Sequence, residues 1–159
     1  MIYDDSVLTD KEVLGVLQAI DEQGHSVRWM FRDDSNGIKF IYYCNWLDEL
    51  KTDYSPLVMT IFDKFCERNG IIPEKIYMTR FTLLVQDLED KVCLPELAYP
   101  NAEKVFIYFA SNSDRPIRIG EQSVMPKMGH CLSFDYSEGY SFSPPLNDNF
   151  FIMIEIEYK

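Results

Sequence analysis

The stretch KVFIYFASNSDRPIRIGEQSVMPKMGHCLSFDYSEGYSFSPP, from Lys104 to Pro145, decides the fold. It opens on the apolar run KVFIYFA, whose near-continuous hydrophobicity predicts a central strand covered on both faces. A polar turn (SNSDRP) follows, then two short strand-like pieces around Ile117 and Val124, a Pro-Lys-Met-Gly turn, and a further strand in HCLSF. Short strands divided by Gly, Pro, Asn and Asp turns predict an antiparallel sandwich or barrel.

On either side of this stretch lie two strongly alternating segments. From Lys75 to Gln86, Tyr77, Thr79, Phe81, Leu83 and Val85 share one face, and Met78, Arg80, Thr82 and Leu84 share the other. Arg80 is thus a charge in the middle of a strand; it either reaches the surface or is held by a counter-charge or anion. Phe150 to Tyr158 reads the same way, with Ile152, Ile154, Ile156 and Tyr158 on one face and Glu155 and Glu157 on the other, expected in solvent. The connection DLEDKVCLPELAYPNAE, residues 87–103, contains two prolines and is long enough to carry function.

The N-terminal half adds helices. Residues 2–4 predict a short strand. Thr9-x-x-Glu12 has the capping-box pattern, and Val13, Val16, Leu17 and Ile20 form an apolar stripe running towards a stop at Gly24. VRWMF and IKFIYY flank RDDSNG, a hairpin with Asn36-Gly37 in its turn. Trp29 and Tyr42 in this hairpin suit sheet packing first and a pocket lining second. A second helix is expected from Pro56 to Arg68, capped by Ser55, ended by Asn69-Gly70, and packed through Val58, Ile61, Phe62 and Phe65.

With 159 residues, 47% hydrophobic and 14% aromatic, the chain is expected to fold as one packed domain over residues 1–159. A net charge of -11 repels a phosphate backbone, which argues against direct nucleic-acid binding. No apolar run approaches the roughly 20 residues needed to span a bilayer, and the start, MIYDDSV, lacks the basic and apolar regions of a signal peptide. The expectation is a cytoplasmic protein with no membrane partner, a monomer or homodimer. Cys44, Cys66, Cys93 and Cys131 form no C-x-x-C pair and read as free thiols. No G-x-S-x-G elbow, phosphate-binding glycine loop or H-E-x-x-H occurs.

The order of elements and the phrases Tyr108-Phe109-Ala110-Ser111-Asn112-Ser113-Asp114, Pro126-Lys127-Met128-Gly129 and Phe134-Asp135-Tyr136-Ser137 resemble those of the small Fe(II)/2-oxoglutarate dioxygenase-like proteins of tailed bacteriophages. The similarity spans nearly the whole chain. It implies an α+β protein: a double-stranded β-helix, or jelly roll, with two N-terminal helices packed on the sheet. It also implies a metal site of H-x-D and a distal His, with an Arg on the last strand for the cosubstrate's far carboxylate.

Those positions are altered here. Val92 to Asn101 contains no His or Asp, only Glu96. The distal His falls on Tyr140, and the Arg falls near Asn149 or Phe150, in a last strand without arginine. His25 and His130, the two histidines, match neither ligand position. The expected protein is therefore catalytically degenerate, with no metal and no cofactor. It would serve as a binding module for a host protein or a small anionic or aromatic ligand, in the host cytoplasm if phage-encoded. The candidate lining of the former pocket is Arg80, Glu96, Tyr108 and Tyr140, with Trp29 and Tyr42 near its mouth. Two alternatives stand beside it: an active oxygenase with a rearranged metal site that recruits His130 with Glu96 and Asp135, and an interaction protein with no pocket.

Overall fold

The computed structural model describes residues 1–22, 30–34, 37–46, 50–51, 54–86, 92–93, 99–148 and 150–159. In chain order the elements are β1 (Ile2–Asp4), α1 (Asp10–Glu22), β2 (Met30–Asp34), β3 (Gly37–Trp46), β4 (Leu50–Lys51), α2 (Ser55–Asn69) and β5 (Ile76–Val85). There follow β6 (Lys104–Phe109), β7 (Ile117–Ile119), β8 (Gln122–Val124), β9 (Cys131–Asp135), a 3-10 turn at Tyr136–Glu138, β10 (Tyr140–Ser141) and β11 (Phe150–Tyr158).

The strands form two antiparallel layers. The larger runs β1-β9-β6-β11-β5-β3-β2, with β4 paired to β3; the smaller runs β10-β7-β8. A single bridge between Cys93 and Phe142 extends the smaller sheet beyond β10. The strand alternation of the sequence fixes what each layer buries. One face of the large sheet, through Phe81, Phe106, Tyr108, Ile152, Ile154, Ile156 and Tyr158, packs on α1 and α2 by way of Val16, Ile20, Val58, Ile61, Phe62 and Phe65. The other face, through Leu84, Val105, Ile107, Phe109, Leu132, Phe134, Phe151 and Met153, packs on Ile117, Ile119, Tyr140 and Phe142 of the small sheet. The large sheet is therefore covered on both sides, and β11 lies at its centre between β5 and β6.

Local signals explain the helix ends. The Thr9 amide donates to Glu12 Oε2 (2.9 Å) and the Glu12 amide to Thr9 Oγ1 (3.4 Å), the reciprocal bonds of a capping box. At the end of α2, Gly70 takes φ 65° and the Ile71 amide reaches Cys66 O (2.9 Å). At its start the N-cap is Tyr54, without a side-chain cap, so the expected Ser55 cap stands one residue inside the helix, next to Pro56. The β2–β3 hairpin pairs Asp34 with Gly37, which matches the expected tight turn, although residues 35–36 lie outside the described ones.

The expectation that Glu155 and Glu157 stand in solvent is corrected: their exposures are 1% and 2%. Parity assigned both acids to the face opposite the isoleucines, but that face carries the second layer of the protein, not water.

Candidate functional site

The interior between the two sheets is where a jelly roll would hold a ligand. β5 and β11 pair in a register that sets Arg80 directly opposite Glu155. The guanidinium forks onto the carboxylate, with Arg80 Nε to Glu155 Oε2 at 2.9 Å and Nη2 to Oε1 at 2.9 Å. From β10 in the other sheet, the Tyr140 hydroxyl donates to Glu155 Oε1 at 3.1 Å, and from β5 the Thr82 hydroxyl donates to Oε2. Glu155 thus accepts four hydrogen bonds drawn from both layers. All four side chains are buried, and Arg80 at 7% exposure, like Glu155, is a charge of the kind that normally faces solvent.

The electrostatics follow from that geometry. Burial by itself would raise the Glu155 carboxyl, but the charge and hydrogen bonds of Arg80, with those of Thr82 and Tyr140, outweigh it and hold Glu155 below the ordinary carboxylate range. Burial likewise opposes a charged Arg80, and Glu155 overcomes it, so the guanidinium is more firmly protonated than usual. Burial and the adjacent Glu155 charge push the Tyr140 phenol well up, which fixes it as a neutral donor. Its ring is packed edge-on against Phe134, with centroids 5.0 Å apart, and lies beside Tyr136 and Phe142.

Of the expected lining residues, the structure brings Arg80 and Tyr140 together through Glu155. Tyr108 lies on the other side of the large sheet, in the layer under the helices, because on β6 it shares parity with Phe106 and not with Ile107. Its buried hydroxyl has no hydrogen-bond partner, and burial raises its pKa. The β3 backbone places Tyr42 opposite Phe81, and Trp29 and Glu96 lie outside the described residues. His130 stands at the start of β9, where its Nδ1 hydrogen-bonds the Tyr3 hydroxyl beside α1; Asp135 ends β9 at the opposite end of that strand, exposed. The structure does not bring the two together.

Among the described residues, the donor set between the sheets does not fit ferrous iron. A facial site needs several basic donors on one side of the metal with open positions opposite. Here Glu155 has both oxygens engaged and its charge neutralised by Arg80, Glu157 on the same strand face accepts the Tyr99 amide at 3.2 Å, and Tyr140 presents a protonated phenol. Nor is the arginine placed to take a dicarboxylate, since Glu155 already fills its fork. Among the described residues, no group of three His, Cys, Asp or Glu side chains is arranged to hold a metal ion.

Glu155 and Thr82 are the site residues that the sequence reading missed. A signal for Glu155 was present: an arginine fixed in a central strand requires a counter-charge, and Glu155 is an acid set among isoleucines in the other strongly alternating strand. Elsewhere, Asp114 accepts from the amides of Leu146 (2.9 Å) and Asn147 (2.8 Å), tying the turn after β6 to the Pro-rich segment before β11.

No protein-family model matches the chain, and no curated protein matches it. Solved structures do. A prolyl-4-hydroxylase of Pseudomonas putida superposes with TM-score 0.69 at 9% identity, covering 99% of this chain and 91% of that one. A viral collagen prolyl hydroxylase from Paramecium bursaria Chlorella virus-1 gives TM-score 0.65 at 11% identity, covering 99% and 94%. A Trichoplax adhaerens prolyl hydroxylase, solved with a hypoxia-inducible-factor peptide, gives 0.71 at 12% identity, covering 99% and 82%. These three similar structures are of prolyl hydroxylases, and another similar structure is of a 2OG-Fe(II) oxygenase family member. The chain has the double-stranded β-helix fold of the Fe(II)/2-oxoglutarate oxygenases.

Proposed function

We propose that this protein is a catalytically degenerate relative of those oxygenases and works as a binding protein, for a host protein or a small anionic or aromatic ligand. The observation that carries the reading is the network of Arg80, Glu155, Tyr140 and Thr82, which occupies the space between the sheets with a neutral, hydrogen-bonded cluster. A cluster of this kind is a closed structural unit: both Glu155 oxygens and the Arg80 fork are engaged within it, which supports the view that neither ligates iron nor fixes a dicarboxylate. The test is a pair of measurements on the full chain. Fe(II) or Mn(II) with 2-oxoglutarate is expected to leave the melting temperature unchanged and to yield no succinate; a stoichiometric metal-dependent rise with turnover would establish the active-oxygenase reading instead.

A second reading, interaction through a sheet edge, has its own support. β1 is a terminal strand of the large sheet, and Ile2 and Tyr3 on it are exposed, with Met1 beside them. Next to it, Leu8, Val13, Leu14 and Met128 line a groove rimmed by Asp5, Asp10 and His130. An edge with apolar side chains accepts a partner strand readily.

A further inference from the structure

The edge of the large sheet at β1 runs directly into the groove beside it. β1 pairs with β9 on one side, with Tyr3 opposite Leu132 and Asp4 opposite Cys131, and no described strand pairs with it on the other. Ile2 and Tyr3 on this edge are exposed. The chain leaves β1 through Asp5, which with Asp10 rims a groove of about 300 Å³ walled by Leu8, Val13, Leu14 and Met128. The two segments that build this surface, residues 1–20 and 125–135, are described throughout.

The groove is formed without a ligand. Gly129 takes φ 87° and lets α1 close on the turn before β9, where a Cβ would lie 2.8 Å from Val13 Cγ2. The Met128 amide donates to Asn112 Oδ1 at 2.9 Å and the Gly129 amide to Phe109 O at 2.9 Å, which pins that turn to the end of β6. His130, through the hydrogen bond between its Nδ1 and the Tyr3 hydroxyl, ties the groove to β1. Walls fixed in advance spare an incoming segment part of the ordering cost of binding.

Size and charge select the occupant. The volume lies at the bottom of the roughly 300–1,000 Å³ of small-molecule pockets, yet it admits an aliphatic side chain or two. An open strand edge supplies the rest, as main-chain hydrogen bonds to an extended peptide whose alternate side chains turn towards the groove. A second copy of this chain would bring a further net charge of -11 to a rim that is already acidic. Among the described residues the lining holds Asp5, Asp10 and His130 but no lysine or arginine, and neither aspartate is ion-paired. Lys11 and Lys127, adjacent in sequence, are exposed outside it. The complement of this surface is an apolar segment with cationic flanks.

We propose that β1 and this groove bind a segment of a partner protein that is extended, apolar, and bounded by lysine or arginine. Its backbone adds to β1, its apolar side chains enter between α1 and the Gly129 turn, and its cations meet Asp5 and Asp10. The proposal rests on the sheet-edge reading given above and names the chemistry of the partner.

The experiment titrates the full chain with three acetylated and amidated hexapeptides, KLVLVK, ELVLVE and KSTSTK, and reads backbone amide NMR shifts. KLVLVK is expected to shift Ile2, Tyr3, Leu14 and Gly129 saturably, and the other two to bind about tenfold or more weakly. The D5N/D10N and L14S variants, altered at exposed positions, are expected to keep the wild-type amide spectrum elsewhere and each to weaken KLVLVK about tenfold. Equal binding of ELVLVE overturns the cationic partner while leaving the sheet-edge reading intact. Equal binding of KSTSTK, or unchanged affinity in L14S, removes the groove from the site and overturns the proposal. Absence of saturable shifts, or shifts that map elsewhere, overturns both the proposal and the edge reading. Self-association of the free chain with shifts centred on β1 would make a second copy the occupant and overturn the proposal in that way.

Discussion

Replacing Glu155 with glutamine tests the centre of the structure. The side chain keeps its size, but its single oxygen can accept from only one of the Thr82 and Tyr140 hydroxyls, which sit on opposite carboxylate oxygens, and Arg80 at 7% exposure loses its paired counter-charge. Removing one partner of a buried ion pair costs about 3–5 kcal/mol. For a chain of this size that corresponds to a fall in melting temperature of roughly 6–20 °C, at about 2–4 °C per kcal/mol. Removing the whole cluster is different. The pair itself is replaceable by apolar residues at little cost, but each hydroxyl left without its acceptor costs about 1–3 kcal/mol. The quadruple variant R80M/E155M/Y140F/T82V therefore deletes every polar group together and is expected to be more stable than E155Q alone. Urea unfolding at pH 7, followed by far-UV circular dichroism, measures both. An E155Q midpoint within about 1 kcal/mol of wild type, or a quadruple variant less stable than E155Q, would refute the reasoning.

Three further outcomes are expected. Gly129 has φ 87°, and a Cβ there would sit 2.8 Å from Val13 Cγ2, so Gly129→Ala should cost roughly 1–3 kcal/mol in urea unfolding, with Val13→Ala restoring only the steric part. Asp4 is held below its ordinary pKa: burial would raise it, but the Ser6 amide, Asn69, the Ser6 hydroxyl and Arg68 outweigh that, so its contribution is complete above the unfolded value and is lost as pH falls through the folded one. An acid titration of stability should accordingly drop below about pH 4, and D4N should flatten part of that slope. Tyr140→His should leave 2-oxoglutarate turnover undetectable by succinate assay, since the imidazole would replace one donor in a set that lacks the others; measurable turnover would sink the degenerate-enzyme reading.

Much of the fold was legible because its strands declare their period. β5 and β11 alternate as read, the pieces around Ile117 and Val124 are β7 and β8, and Thr9 to Glu12 caps α1. What alternation cannot report is whether the second face of a strand meets water or another layer. That is why Glu155 and Glu157 were assigned to solvent, and why Tyr108 was grouped with Arg80 although the near-continuous apolarity of KVFIYFA leaves its facing undetermined. Arg80 was singled out correctly as an anomaly, but its partner lies 75 residues away and is set by strand register, which a single sequence does not display.

The central place of β11 has a consequence for how the protein is made. β5 and β6 are both pairing partners of β11, so neither is complete until residues 150–158 arrive. During synthesis the end of β6 leaves the ribosome roughly 40 residues ahead of β11, an interval of about 2–8 s at 5–20 residues per second. For that time two apolar strands face an unfilled slot, and Arg80 waits without its counter-ion. Nascent chains in this interval present two open strand edges, the geometry that recruits chaperones or neighbouring nascent chains, and slowing translation just before Phe150 should lower the soluble yield without changing the finished fold.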